Sequence, residues 1–301
     1  MLSTEQKVLD IFQQFRMAPT ALDEFETKGK QVLTDKLTGF IGAGKTIQFV
    51  MLGFPFKSTN SRDKVLGTKP DLAEQVTMEN FAHFNSLVKE VYEPGIQLTM
   101  ASDGYAFNNI LGVPDKVVEE YQEISMDMNG SGPVKFFNLK DAYSSTSDTA
   151  RQKMFDHFGI SWVELERRIL FDTDMNILYR GMIRFMEEEL AIKEHPSRNQ
   201  LNKAAKLLTR EMMLANEAYS QLVTKEFSDS IRLSMHPSIN SGKKFSFQLI
   251  PGENVRHSAW HACLFVNQEG AYETIHKKDA LAKGLQLVYK DGQPYNFTFN
   301  F

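Results

Sequence analysis

A single cysteine, Cys263, stands in the 301 residues, so the chain can form no internal disulfide and no cysteine-ligated metal cluster. Charge of one sign is not in excess either. Lys and Arg number 34 against 38 Asp and Glu, a formal charge of −4 that argues against nucleic-acid binding, which needs a basic stripe. No segment approaches the run of about 18 apolar residues that a membrane span requires. The opening MLSTEQKVLDIFQQF has neither the basic start nor the apolar core of a secretory signal, so a cytoplasmic location is expected. No histidine–carboxylate spacing that would hold a metal by itself stands out, and neither metal nor cofactor is expected. A G-x-S-x-G elbow is missing, as is a G-x-G-x-x-G fingerprint after the first strand, so a doubly wound shape would not imply a nicotinamide dinucleotide.

What is present is an alternation of element types. The segment ALDEFETKGKQVLTDKLTGFI repeats apolar residues at three- and four-residue steps, as a helix does, and IQFVMLGF is a strand stopped by Gly53 and Pro55. The stretch PDLAEQVTMENFAHFNSLVKEVYEPG predicts a helix with Leu72, Val76, Phe81, Phe84, Val88 and Val91 on one face. A second strand at Ile96–Ser102, a helix from VPDKVVEEYQEI and a third strand within Gly132–Leu139 follow. Strand–helix repetition of this kind predicts an α/β, Rossmann-like fold with a mainly parallel sheet. The chain reads as one unit over 1–301, with soft subdivisions at 1–143, a helical segment at 144–228 and a β-rich, largely antiparallel portion at 229–301.

Residues Gly39–Thr46, GFIGAGKT, match the phosphate-loop pattern G-x-x-x-x-G-K-[ST]. A working phosphate loop runs from a strand into a helix, whose first amides hold the phosphates. Here a helix precedes the glycines and a strand follows them, so they read as helix-terminating punctuation. Nucleotide hydrolysis remains the alternative that this motif alone supports.

Ligands of open parallel sheets bind beyond the carboxyl ends of the strands. The loop after the first strand offers Lys57, Ser58, Asn60, Arg62 and Lys64 there. Ser102 and Asp103 follow the second strand, and Arg232, Ser234 and His236 lie on or after the strand near 231. A cationic group at strand ends suits a phosphate or carboxylate substrate. Each residue has a plainer reading too. Lys57 and Lys64 can be solvated loop lysines, Asp103-Gly104 a turn, Arg232 a member of a structural ion pair, and His261 a core histidine.

At GFPFKSTNSRDKVLGTKPDLAE (Gly53–Glu74) the sequence resembles the pyoverdine/dityrosine biosynthesis family, the isocyanide (isonitrile) synthases. The likeness continues at SDGYAFNNILGVPD, at IRLSMHPS and at FSFQLIPGENVRHSAWHACLF, covering about residues 45–270. Ala259 departs from the pattern, which has proline before Trp-His, and that puts the local turn in question. The resemblance implies conversion of the amino group of tyrosine or tryptophan into an isonitrile, with the new carbon taken from the ketone of ribulose 5-phosphate. A fungal branch yields an N-formyl tyrosine product instead. It also implies a pathway neighbour, an iron- and 2-oxoglutarate-dependent oxygenase that acts on the product. On this reading Lys57, Asp103 and His236 are the catalytic candidates, and Trp260 and His261 border the aromatic pocket. Ser58, Asn60, Arg62, Lys64, Ser102, Arg232 and Ser234 complete the binding set. A non-catalytic sugar-phosphate binder on the same scaffold is the further alternative.

Overall fold

The computed structural model describes residues 2–191 and 197–299. Helix α1 (Thr4–Gln14), a π-helical turn at Phe25–Gly29 and α2 (Lys30–Gly42) lead into β1 (Ile47–Leu52). Then come α3 (Leu72–Val91), β2 (Ile96–Ser102), α4 (Gly104–Leu111), α5 (Asp115–Asn129) and β3 (Val134–Asn138). The helical middle comprises α6 (Leu139–Tyr143), α7 (Ser147–Phe158), α8 (Trp162–Phe171), α9 (Thr173–Leu190) and α10 (Arg198–Glu226). Last are β4 (Ile231–Ser234), β5 (Phe245–Ser246), β6 (Cys263–Val266), β7 (Tyr272–Ile275), α11 (Lys277–Ala282), β8 (Gln286–Lys290) and β9 (Gln293–Thr298).

The first sheet has the order β3-β2-β1-β4-β5, and every neighbouring pair is parallel. Ile47 pairs with Ile96 on one side of β1, and Met51 with Leu233 on the other. Successive strands therefore build outward from β1 in one direction as far as β3, and the chain then crosses back to lay β4 on the other side. The topological switch point falls between β1 and β4, which opens a crevice at their carboxyl ends. The expectation of an antiparallel C-terminal portion is corrected here. β4 and β5 belong to the parallel sheet because the long helix α10 returns the chain as a crossover. In the second sheet, β7-β6-β9-β8, two pairs are antiparallel, while β6 and β9 are parallel.

Aromatic residues from distant segments fill the core beneath the first sheet. Phe12 stacks on Phe49 at 6.2 Å, and Phe81 on Phe247 at 5.3 Å. Such contacts add about 0.5–1.5 kcal/mol each beyond area burial. Helix α3 begins on a reciprocal cap in which the Asp71 side chain accepts from Ala73 N, and Glu74 accepts from Asp71 N at 2.9 Å.

The phosphate-loop match ends a helix and feeds a strand, as its context predicts. The amides of Ala43, Gly44 and Lys45 donate back to the carbonyls of Gly39, Ile41 and Phe40, and Gly44 takes φ +63°. These amides close the C-terminus of α2 and do not form an anion cradle. Among the described residues, no helix is long and apolar enough to cross a membrane.

Candidate active site

Past Leu52 the chain turns sharply through Gly53-Phe54-Pro55. A Cβ on Gly53 would sit 2.7 Å from Cη2 of Trp260, so only glycine lets β1 end against that indole. Phe54 adopts φ 56°, a left-handed conformation that costs a non-glycine residue about 1–3 kcal/mol. Its ring is held by Trp260 at 5.0 Å and Phe136 at 5.8 Å. Ser58 N donates to the Trp260 carbonyl at 2.8 Å, tying this loop to the single 3-10 turn Ala259–His261. The turn forms with alanine at its first position, so the proline expected there is not needed.

A cavity of about 590 Å³ opens at the carboxyl ends of β1, β2 and β4, at the switch point. Pro55, Phe56 and Ser58 line it from the first loop, Asp103 from just after β2, and Arg232 to His236 from β4 and the two residues that follow it. Trp260 and His261 close one side, and α9 and α10 roof it with Met182, Phe185, Glu189, Met212 and Asn216. A volume of this size and a largely apolar wall are usual for a small-molecule site.

Asp103 is strongly altered by its surroundings. Its Oδ1 is buried with no hydrogen-bond partner. Burial, offset only in part by its own backbone amide, pushes the carboxyl up to about 7. Across the cavity, Arg232 donates to the carbonyl and hydroxyl of Ser220 at 3.2 and 3.0 Å and to Thr224 Oγ1. Lys244 and His236 stand at the exposed rim. Partial desolvation by the cavity wall lowers the pKa of all three groups, although Lys244 and His236 keep exposed surface; Arg232 lowers Lys244 further, and Lys244 does the same to His236. Among the described residues none of the three has a carboxylate within ion-pair distance. An anion bound between them would relieve this mutual repulsion.

The other end of the cavity is polar but internally satisfied. Glu189, at the end of α9, accepts from Ser58 Oγ at 2.7 Å, Thr59 N at 2.8 Å and Lys64 Nζ at 2.9 Å. Burial would raise this carboxyl, yet Lys64 and Ser58 hold it below its ordinary value. His261 is pushed down to about 3, chiefly by burial, and is neutral. Its Nδ1 lies 3.0 Å from Ser258 Oγ, and its ring meets Phe185 edge-on at 5.1 Å.

Of the residues expected from the sequence, the structure gathers Ser58, Asp103, Arg232, Ser234, His236, Trp260 and His261 around this cavity. Lys57, Asn60, Arg62, Lys64 and Ser102 do not line it. The Lys57 ammonium is sealed from solvent and pairs with Asp71 at 2.9 Å and Glu74 at 2.8 Å, and it donates to the Ala259 carbonyl at 2.9 Å. Burial opposes its charge, but the two carboxylates outweigh burial and raise its pKa. Asn60 Nδ2 donates to the Glu188 carbonyl at 2.8 Å, and exposed Arg62 pairs with Asp63. Lys64 spends its ammonium on Glu188 and Glu189, and Ser102 Oγ donates to the Phe54 carbonyl at 2.8 Å. The first-loop cations are thus matched inside the protein, and the cations that face the cavity come from β4 and the loop before β5.

Sequence reasoning missed Glu189, Lys244, Asn216 and Ser220. Glu189 sits in MEEEL, where only burial separates it from Glu187 and Glu188. Lys244 precedes a two-residue strand whose place in the parallel sheet was not anticipated. His257 and His261 stand four residues apart, a spacing that on a helix would align two imidazoles. Here His257 instead stacks on His276 at 4.6 Å. Among the described residues no group of three or more His, Cys, Asp or Glu is placed to hold a metal.

Fold and site together define an α/β protein with a small-molecule cavity at its switch point, cationic on the β4 side. Residues 37–288 match the family of pyoverdine/dityrosine biosynthesis proteins, and the chain belongs to it. Its sequence is 29% identical over 272 residues to an L-tryptophan isonitrile synthase of Fischerella ambigua, covering 88% of this chain and 81% of that protein. It is 27% identical over 295 residues to the L-tyrosine isonitrile synthase of Pseudomonas aeruginosa, covering 95% and 89%. Isocyanide synthase xanB of Aspergillus fumigatus is 29% identical over 84% of this chain, which spans 36% of that longer protein. The crystal structure of PvcA from Pseudomonas aeruginosa superposes with a TM-score of 0.92 at 26% identity, covering 99% of this chain and all of that one.

Proposed function

We propose that the protein is an isocyanide synthase that converts the amino group of L-tyrosine or L-tryptophan to an isonitrile and takes the new carbon from ribulose 5-phosphate. The observation that carries this reading is the pairing, in one cavity, of a carboxyl that has one buried, unpartnered oxygen with cations that have no internal counter-ion. A sugar phosphate supplies the missing anion, and Arg232, Lys244 and His236 hold it. Its ketone is then presented toward Asp103.

The amino acid must react as a free amine, so a proton has to leave its ammonium before attack on the ketone carbon. A carboxyl with a pKa of about 7 exists in both forms at neutral pH. The ionised form of Asp103 takes that proton, and the protonated form returns one to the hydroxyl that departs as water when the carbinolamine becomes an imine. His236 begins neutral, and a bound phosphate dianion favours its charged form. It then serves as an added donor to the phosphate that later departs. To become an isonitrile carbon, the former ketone carbon must lose both of its carbon–carbon bonds: the hydroxymethyl carbon leaves as formaldehyde and its bonding pair stays as the isonitrile lone pair, while the other pair departs with the three-carbon remainder as phosphate is expelled. The same cations stabilise the charge that develops as phosphate leaves. Lys57 takes no chemical part in this scheme, because its ammonium is closed off behind Asp71 and Glu74.

The protein so described works in the cytoplasm and hands its product to an iron- and 2-oxoglutarate-dependent oxygenase. Incubation of the pure protein with each amino acid and ribulose 5-phosphate, followed by tetrazine trapping, yields an isonitrile adduct of the expected mass. An N-formyl amino acid would assign the chain to the other chemistry of its family. Binding of the sugar phosphate without its consumption would assign it as a non-catalytic binder.

A further inference from the structure

Helix α9 turns one face to the cavity along about two thirds of its length. Leu178, Gly181, Met182, Phe185 and Glu189 recur at steps of three, one, three and four residues, which is a single stripe of an α-helix. The stripe is apolar until Glu189, about 16 Å along the axis from Leu178. Gly181 sits in the middle of this 18-residue helix, where glycine is the poorest residue short of proline. Its backbone is helical, with no positive φ to demand glycine. Close packing does not demand it either: a Cβ built on Gly181 meets nothing within 4 Å. Gly53 and Gly29 are unlike it, since a Cβ there would strike Trp260 or the Asn240 carbonyl. Gly181 is exposed at the open side of the cavity that it lines, so a side chain at 181 would extend over the mouth of that cavity.

From this we infer that Gly181 is a specificity-determining residue, a notch in the α9 wall that admits the aromatic ring of the amino-acid substrate. This rests on the isonitrile-synthase reading for the identity of that substrate. The ring lies along the apolar part of the stripe, between Leu178, Met182 and Phe185 on α9 and Met212 on α10. Its amino group then reaches toward Asp103, and the sugar phosphate occupies the Arg232–Lys244 side. A side chain at 181 excludes the ring and leaves the phosphate subsite untouched, because none of the groups that hold the phosphate lies on α9.

The test is titration calorimetry of wild type, Gly181→Ala and Gly181→Leu with L-tyrosine, L-tryptophan and ribulose 5-phosphate, each alone and in the presence of the others. Both variants fold, and Gly181→Ala melts about 1–3 °C higher because alanine favours the helix. In Gly181→Leu the Kd of the preferred amino acid rises at least about tenfold, the scale of an overfilled apolar pocket. The Kd of ribulose 5-phosphate stays within about twofold. Unchanged amino-acid affinity in Gly181→Leu overturns the inference, as does equal weakening of both ligands, and neither result touches the isonitrile-synthase reading. Wild-type protein that binds neither amino acid overturns both. Wild-type binding without isonitrile formation overturns the reading of the reaction, while the Gly181 comparison still decides the notch.

Discussion

Lys57 Nζ lies 2.8 Å from Glu74 Oε2, and neither side chain reaches solvent. Tyr121 donates to the other oxygen of Glu74 at 2.8 Å, and Asp71 completes the cluster at 2.9 Å from the same ammonium. The cluster joins the loop after β1 to the start of α3 and, through the Ala259 carbonyl, to the turn that bears Trp260 and His261. Its role is to hold two walls of the cavity in register.

Replacing Lys57 with methionine therefore acts through folding before it acts on chemistry. The substitution leaves buried carboxylates without their counter-charge and costs about 3–5 kcal/mol at pH 8. Glu74 is already pushed to about 7, chiefly by burial, and protonates further in the variant, so the loss shrinks as pH falls. Adding Glu74→Gln recovers part of it. Chemical denaturation at pH 5 and pH 8 checks all three statements. Full stability of Lys57→Met at pH 8 would remove the structural role assigned here.

Asp103→Asn separates chemistry from stability in the opposite sense. Turnover falls by about 10²–10⁴, the usual contribution of a positioned acid–base group. In the wild type the folded carboxyl keeps its proton up to about 7, whereas its ordinary value is 3.8. Between those limits the folded state holds a proton that the unfolded chain has released, so stability falls as pH rises through the window. The asparagine variant loses that contribution and gains on the wild type at pH 8 relative to pH 5. Parallel unfolding curves at the two pH values measure the difference, and an unchanged gap would mean that Asp103 titrates normally.

Lys244→Gln and Arg232→Gln each raise the KM for ribulose 5-phosphate by about tenfold to a hundredfold, the loss of one charge-assisted contact. The KM for the amino acid changes little. Inorganic phosphate raises the melting temperature of the wild type and has a smaller effect on either variant. Steady-state kinetics with each substrate varied in turn test this. An equal rise in both KM values would contradict a separate phosphate subsite.

Periodicity made the first half of the fold legible. Strands β1 and β2 occupy the residues that their apolar runs marked, and α3 begins at the cap that Asp71 and Glu74 provide. Two features escaped. Helix α4 follows directly on Asp103-Gly104, a pair with the composition of a turn. β4 and β5 are short enough that their pairing partners, not their residues, decide whether they run parallel. The same limit governs the site. The strand-end rule pointed to Asp103, Arg232 and His236, which line the cavity, because that rule depends on topology alone. It could not see that Lys57 and Lys64 would be consumed by Asp71, Glu74 and Glu189, since those partners come from 14 to 125 residues away. Burial by distant segments separates a catalytic lysine from a structural one, and one-dimensional patterning does not carry it.

The most direct test of the central claim follows the carbon. Wild-type protein is incubated with ribulose 5-phosphate labelled with ¹³C at its ketone carbon and with L-tyrosine or L-tryptophan, and the product is examined by carbon NMR and mass spectrometry. The account predicts a single enriched resonance at the isonitrile carbon, present in the wild type and strongly reduced in Asp103→Asn and Lys244→Gln. An isonitrile without the label, or no isonitrile from either amino acid, would contradict it.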